Sequence, residues 1–279
     1  HQNGAKILIS LGGGSFELFP QICGSQKSFN RLVAGIAHFV DLNDYDGADL
    51  DWEGEITSEQ GVLWGNLVKA LRVEFNKIEI SKKRKLYLIT ALPTGTWFTG
   101  KLDPTVLRSD LDFINLMAYD AGMESLGYHA ALEPAPEDPR KIGFVKTLQY
   151  LTEELQIPKQ KICVGMPFYA YSYENVARYE PISKEGSLKR RFEKSWSEIS
   201  VLTKDWKRDY DPVTRGAWFT SPDGKTVIPA DDPQSIREKT TWIKENGYRG
   251  VFCWAMHHDV MLDGSAPLTE AMDMAFPKK

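Results

Sequence analysis

The chain has 279 residues, 42% of them hydrophobic, which suffices for one large α/β core or two small ones and excludes a disordered segment. Its 34 Lys and Arg against 38 Asp and Glu leave a net charge of −4, without the clustered basicity that nucleic-acid binders carry. No stretch of 18 or more apolar residues occurs, so no membrane span is expected, and the polar opening does not read as a signal peptide.

Six apolar segments of strand length recur along the chain, at 6–11, 45–51, 85–92, 113–119, 162–168 and 250–255. Runs such as Ile7-Leu8-Ile9 are apolar on successive residues, which predicts strands covered on both faces and therefore a parallel sheet. Helical periodicity lies between them. Leu32, Ile36 and Phe39 share one face, as do Trp64, Leu67, Leu71, Phe75 and Ile78, and then Phe144, Leu148 and Leu151. Asp232-Pro233 is an N-cap followed by a first-turn proline, and Gly247 is a stop, so a helix is expected from 233 to about 246. Such alternation means a (β/α) barrel or an open doubly wound sheet. The connection over 170–230 is long for one loop and contains a hairpin, 217–220 with 225–228, turning at Pro222-Asp223-Gly224. It reads as an inserted loop region within one domain, 1–279, and not as a domain of its own.

Three cysteines, Cys23, Cys163 and Cys253, follow no metal-ligand spacing. The last two sit in apolar runs, where buried thiols are favoured over a Cys163–Cys253 disulfide. The basic stretches Lys82-Lys83-Arg84-Lys85 and Lys189-Arg190-Arg191 read as solvated faces.

Seven carboxylates fall between Asp41 and Glu55: Asp41, Asp44, Asp46, Asp49, Asp51, Glu53 and Glu55. A solvated acidic loop would not interleave them with Leu50 and Trp52. On a strand, Asp49, Asp51 and Glu53 face one way at about 6–7 Å spacing. Aligning three acids on a half-buried face costs stability through repulsion and desolvation, and the outcome is a shared proton near neutral pH, as a general acid requires. Two other uses of the acids compete with this one. Asp49-Leu50-Asp51 could hold Mg²⁺ or Mn²⁺ in a nucleotide-sugar transferase, but no phosphate-cradling glycine loop is near. A calcium loop would need Gly47 elsewhere.

At these residues the chain resembles glycoside hydrolase family 18, the chitinase family, whose hallmark is Asp-Gly-x-Asp-x-Asp-x-Glu. The match at Asp46-Gly47-Ala48-Asp49-Leu50-Asp51-Trp52-Glu53 is complete. Four further pieces agree in order: Ser10-Leu11-Gly12-Gly13, Met117-Ala118-Tyr119-Asp120, Gly165-Met166-Pro167-Phe168-Tyr169 and Phe252-Cys253-Trp254. The resemblance implies a TIM-type (β/α)8 barrel, and these motifs correspond to its strands three, four, six, seven and eight, with a long insertion after strand seven. It implies hydrolysis of β-1,4-linked N-acetylglucosamine polymers, chitin or chito-oligosaccharides, with retention, assisted by the substrate's own N-acetyl group. Glu53 would protonate the glycosidic oxygen, Asp51 would orient and stabilise the acetamido group, and Asp49 and Ser10 would support Asp51. Tyr119 would donate to the acetamido oxygen, Met117 and Asp120 would line the site, and Trp254 would stack under the sugar. Tyr169 belongs to the same motif set.

Plainer roles compete: Met117 as core filler, Trp254 as a core aromatic, Ser10 as a strand-end residue, and Tyr169 as packing. Trp97, Trp206 and Trp218 are either outer sugar platforms or buried structure. No metal or organic cofactor is implied. The expected location is extracellular.

Two departures matter. The segments matching the first two strands are absent, so the chain is expected to be a piece of a longer protein, or to need an N-terminal segment or second chain for those strands. The family often continues Pro-Phe-Tyr-Gly with Arg, whereas here Tyr169 is followed by Ala170-Tyr171. The same acid motif serves endo-β-N-acetylglucosaminidases acting on N-glycans, and chitinase-like lectins bind sugar without cutting it. Trp52 and the Met-x-Tyr-Asp piece favour chitinase over the former. Retention of both Asp51 and Glu53 disfavours the latter.

Overall fold

Apolar runs broken by glycines and acids fold into short strands. The computed structural model describes residues 4–14, 16–182 and 191–276; Lys189 and Arg190 of the second basic stretch lie outside them. Two compact units result, His1–Leu116 with Tyr150–Ile162, and Met117–Gln149 with Cys163–Lys279.

In the first unit, β1 (Leu8–Gly12), β2 (Gly47–Asp51), β3 (Tyr87–Pro93) and β4 (Phe113–Met117, whose last residue enters the second unit) follow one another across a sheet. β1, β2 and β3 pair in parallel, as the apolar runs predict. Gly47 opens β2 at φ 154° with its backbone against Tyr87, where a Cβ would stand 1.9 Å from the carbonyl oxygen, so no side chain fits. Ala48 and Leu50 are buried behind the strand, and buried Thr90 donates to the Leu50 carbonyl at 2.6 Å.

The connections are α1 (Phe19–Cys23), α2 (Gln26–Leu42), α3 (Ser58–Lys82) and α4 (Pro104–Ser109). A reciprocal cap starts α3: the Thr57 hydroxyl accepts from the Gln60 N–H, and the Gln60 side chain accepts from the Thr57 N–H. Its stripe of Trp64, Leu67, Leu71 and Phe75 is fully buried, with Ile78 at its half-buried end. In α2 the buried face is Val33, Ile36, Ala37 and Val40, while Phe39 is 46% exposed. The helix is apolar over a wide arc, so 3–4 spacing alone could not choose between adjacent faces. The first basic stretch is also more engaged than a solvated face. Lys82 pairs with Asp41, Arg84 with Asp44, and Lys85 with Glu79 and Asp112.

In the second unit, β5 (Ile162–Pro167) pairs in parallel with β11 (Gly250–Trp254). The long connection folds into β6 (Tyr169–Glu174), β7 (Arg191–Ser195), β8 (Lys207–Asp211), β9 (Gly216–Thr220) and β10 (Thr226–Ala230), an antiparallel sheet ordered β7-β6-β10-β9-β8. The expected hairpin is β9–β10, and its turn is tied by Gly224 N–H to Ser221 O at 2.9 Å. The remaining sheet exceeds the expected loop region. Arg-Phe-Glu-Lys-Ser and Lys-Arg-Asp-Tyr-Asp carry too little apolar alternation to announce β7 and β8.

Three helices complete the unit beside α5 (Phe144–Gln149): α6 (Trp196–Leu202), α7 (Pro233–Glu245) and α8 (Pro267–Ala275). α7 begins and ends as predicted, with the Asp232 carboxylate accepting from Ser235 N–H and Gly247 at φ 76° beyond its end. Cys23, Cys163 and Cys253 are free thiols, each pushed up to about 11 by burial. Cys163 faces Gly250 and Cys253 faces Met166, three rungs apart and thus roughly 10 Å, too far for a disulfide. No described helix is long and apolar enough to cross a membrane.

Candidate active site

Parallel pairing places Ser10 opposite Asp49 and Gly12 opposite Asp51. The Ser10 hydroxyl donates to Asp49 Oδ2 at 2.9 Å. After it the chain passes directly over the end of β2, where Gly13 N–H donates to the Asp51 carbonyl at 2.8 Å. Gly12, at φ 120°, would put a Cβ 2.0 Å from that oxygen, so the Ser-x-Gly-Gly piece is a steric requirement of this crossing. Gly14 lies beside the acid, where a Cβ would come within 3.4 Å of Glu53 Oε2.

Glu53 sits two residues beyond the end of β2 and is half-buried. Between the acids Trp52 is buried, stacked on Phe19 at 4.8 Å with the rings 14° apart, and this anchor turns Asp51 and Glu53 to the opposite side. The two carboxyls hydrogen-bond each other. That bond needs one proton held between the two carboxyls. Burial raises Asp51 above the usual range. Asp49 is pushed up to about 6, by burial first and by the Asp51 charge second, against the opposing Ser10 bond. Among the described residues Asp49 Oδ1 and Asp51 Oδ1 are both buried without a hydrogen-bond partner, which favours a proton somewhere in the row. Asp46, first acid of the run, serves structure: it accepts from the Ile7 N–H and pairs with Lys6, which together overcome burial and lower its pKa.

The second unit gathers Met117, Tyr119 and Tyr169 around Ala130, with Tyr171 and Phe252 against them. Tyr119 meets the edges of Tyr169 at 6.0 Å and Phe252 at 6.3 Å. Asp120 accepts from Tyr169 Oη at 2.7 Å on Oδ2 and from Tyr171 Oη at 3.2 Å on Oδ1. His129 Nδ1 lies 3.2 Å from the same Oδ1. Burial alone would raise Asp120, but these donors outweigh it and hold the carboxylate below its ordinary value. Burial and the Asp120 charge keep both phenols protonated. Beneath them Lys239, fully buried, clasps Asp231 and donates to the Ala130 carbonyl at 2.6 Å.

Ser10, Asp49, Asp51 and Glu53 therefore come together in one unit, and Met117, Tyr119, Asp120 and Tyr169 in the other. Trp254, at the end of β11, is 55% exposed, and Trp97 is 49% exposed with its indole N–H on the Thr94 carbonyl. Trp218 is structural: it is buried, with the Arg178 guanidinium 3.9 Å from its ring centre. Trp206 is half-buried. No motif or spacing singles out His129, Lys239 or Asp231, and Tyr171 stands out in the sequence only as a departure from a motif. Among the described residues no group of three or more His, Cys, Asp or Glu side chains is arranged to hold a metal.

The family description "Glycosyl hydrolases family 18" matches residues 1–259, and the chain belongs to that family. It is 28% identical over 277 residues to an endochitinase from Brugia malayi, covering 92% of this chain and 54% of that one. The chain thus spans about half the length of this curated relative. In fold it is similar to a class V chitinase from Nicotiana tobaccum in complex with NAG4 (TM-score 0.84, 21% identity, 99% of this chain and 82% of that one). It is also similar to a chitinase-like agglutinin from Robinia pseudoacacia (TM-score 0.83, 20% identity, 98% and 82%). These likenesses identify the fold as a TIM-type barrel.

Proposed function

We propose that the protein hydrolyses β-1,4 bonds between N-acetylglucosamine units of chitin or chito-oligosaccharides, with Glu53 as general acid. What supports this reading is the Asp51–Glu53 hydrogen bond, which holds a proton between the two carboxyls beside Asp49, itself pushed up to about 6. In the proposed reaction Glu53 gives that proton to the glycosidic oxygen as the bond to the anomeric carbon breaks. The substrate's acetamido oxygen attacks the same carbon, and the Asp51 carboxylate stabilises the positive oxazolinium. Water then opens the ring and returns a proton to Glu53, so configuration is retained. Asp49 and Ser10 support Asp51. Tyr119, Met117, Asp120, Tyr169 and Trp254 are proposed substrate contacts, in keeping with the motifs they occupy.

The test is product analysis with tetra-N-acetylchitotetraose, following the first-formed reducing ends by proton NMR. Shorter oligosaccharides appearing initially as the β-anomer are expected. First-formed α-anomer contradicts substrate assistance, and release from high-mannose glycopeptides without chitotetraose cleavage indicates an endo-β-N-acetylglucosaminidase.

A second reading, sugar binding without cleavage, is favoured by the fold it shares with the Robinia agglutinin. Tight binding of chitotetraose by calorimetry with no products would select it. The intact Asp49–Asp51–Glu53 row weighs toward catalysis.

A further inference from the structure

We infer that His129 and Tyr171 are positioning residues that clamp Asp120, so that its one free acceptor site receives an O–H or N–H donor of a bound amino sugar. The inference deepens the proposed function and rests on it for the identity of the ligand.

Asp120 follows the end of β4 in a left-handed conformation, φ 54°, which Asp tolerates better than most residues. Its side chain is 45% exposed, yet its described contacts come from three protein donors. A carboxylate offers about four acceptor sites. Tyr171 and His129 occupy Oδ1 and Tyr169 occupies one site on Oδ2, which leaves the other site on Oδ2 open. An exposed carboxylate with no such clamp would rotate freely and be solvated. This one is fixed, ionised and directed.

The imidazole decides whether the clamp is attractive. His129 is buried, and Nδ1 lies 3.2 Å both from Asp120 Oδ1 and from the Asp120 backbone N–H. A bare Nδ1 would accept from the Asp120 backbone N–H, but it would also set its lone pair toward the carboxylate and leave Nε2–H as a buried donor, and Nε2 has no partner among the described contacts. Placing the proton on Nδ1 gives up the bond from the Asp120 N–H but makes a charge-assisted bond to Oδ1 and leaves a bare Nε2 inside, a cheaper orphan than a buried N–H. That tautomer is assigned from the hydrogen-bond pattern. His129 is held in turn by its neighbour Ala130, whose carbonyl is bound by the buried Lys239–Asp231 pair. Tyr171 is fixed from its other face, with Arg191 4.9 Å from the ring centre and donating to the Met123 carbonyl.

Two measurements test this. Nitrogen-15 NMR of the imidazole reads the tautomer without reference to any sugar. Protonated Nδ1 with bare Nε2 is expected, and the opposite tautomer overturns the clamp. Calorimetric titration with tetra-N-acetylchitotetraose, in a Glu53→Gln background that prevents turnover, reads the consequence. His129→Gln, whose amide nitrogen reaches the Nε2 position, and Tyr171→Phe should each weaken binding about tenfold, the size of one charge-assisted hydrogen bond. His129→Asn, whose amide nitrogen falls at Nδ1, should restore most of the affinity. In an Asp120→Asn background both losses should vanish. Losses that persist undiminished there, or a folded His129→Asn as poor as His129→Gln, overturn the proposal. If His129→Gln fails to fold, Tyr171→Phe and the tautomer decide. If the Glu53→Gln protein binds no chito-oligosaccharide, the substrate reading falls while the NMR result still judges the clamp.

Discussion

Asp49 lies within β2 and Asp120 just past the end of β4, yet burial pushes the first carboxylate up to about 6 while surrounding donors hold the second below its ordinary value. Among the described residues Asp49 has one hydroxyl donor, a buried oxygen without a partner and another acid beside it. Asp120 has two phenols and an imidazole. The same side chain thus becomes part of a proton store in one unit and a fixed anion in the other, and what differs is the number of N–H and O–H groups within reach. A third carboxylate extends the comparison. Asp231 is deeper than either, and burial raises it, but it stays paired with Lys239.

The largest expected effect is on the proton store. Glu53→Gln should lower kcat on chitotetraose by about 10²–10⁴-fold, the usual worth of general acid catalysis, with the dissociation constant nearly unchanged. Residual activity above about a tenth of the parent would break the contrast between the two carboxylate groups. The parent should show a bell-shaped kcat/KM profile in the acid-to-neutral range. A flat profile from about pH 4 to 9 would contradict a titrating row.

Lys239→Met comes next, since it strands Asp231 without its partner in the interior. A loss of about 3–5 kcal/mol in unfolding free energy is expected from denaturant titration, and a neutral result would show that the pair does not anchor the second unit.

The smallest effect reads the row through stability. Because the folded-state value of Asp49 is raised above that of the unfolded chain, the protonated form stabilises the fold at low pH. That contribution is lost as pH rises from about 4 through 6. Asp49→Asn, which can still accept from Ser10, should therefore raise stability at pH 7.5 by up to about 3 kcal/mol and change little at pH 4. Thermal unfolding at the two pH values checks the sign, and an equal shift at both would remove the electrostatic explanation.

Much of the first unit was legible because its chemistry is local in sequence. Alternation alone puts Asp49, Asp51 and Glu53 on one side with Leu50 and Trp52 on the other, and the glycines of Ser10-Leu11-Gly12-Gly13 record how closely that segment crosses β2. The parallel pairing was legible for the same reason, as was α7, whose two ends are written in Asp232-Pro233 and Gly247. The run Ile7-Leu8-Ile9, by contrast, is not covered on both faces: Ile7 is 44% exposed and Leu8 and Ile9 are half-buried. The face of α2 was misjudged because its apolar arc is too broad for spacing to decide. β7 and β8 escaped because their residues are mostly polar and their pairing is supplied by distant strands. The surroundings of Asp120 were illegible for a related reason. His129 and Tyr171 reach it across 9 and 51 residues, and no local period links them.

The most direct test of Glu53 as proton donor varies the leaving group. A sugar alkoxide needs the proton, whereas 2,4-dinitrophenolate departs without it. Comparing the Glu53→Gln protein with the parent on chitotetraose and on a 2,4-dinitrophenyl chitobioside should give a large deficit on the first substrate and a small one on the second. An equal deficit on both would contradict the assignment of Glu53 as the acid.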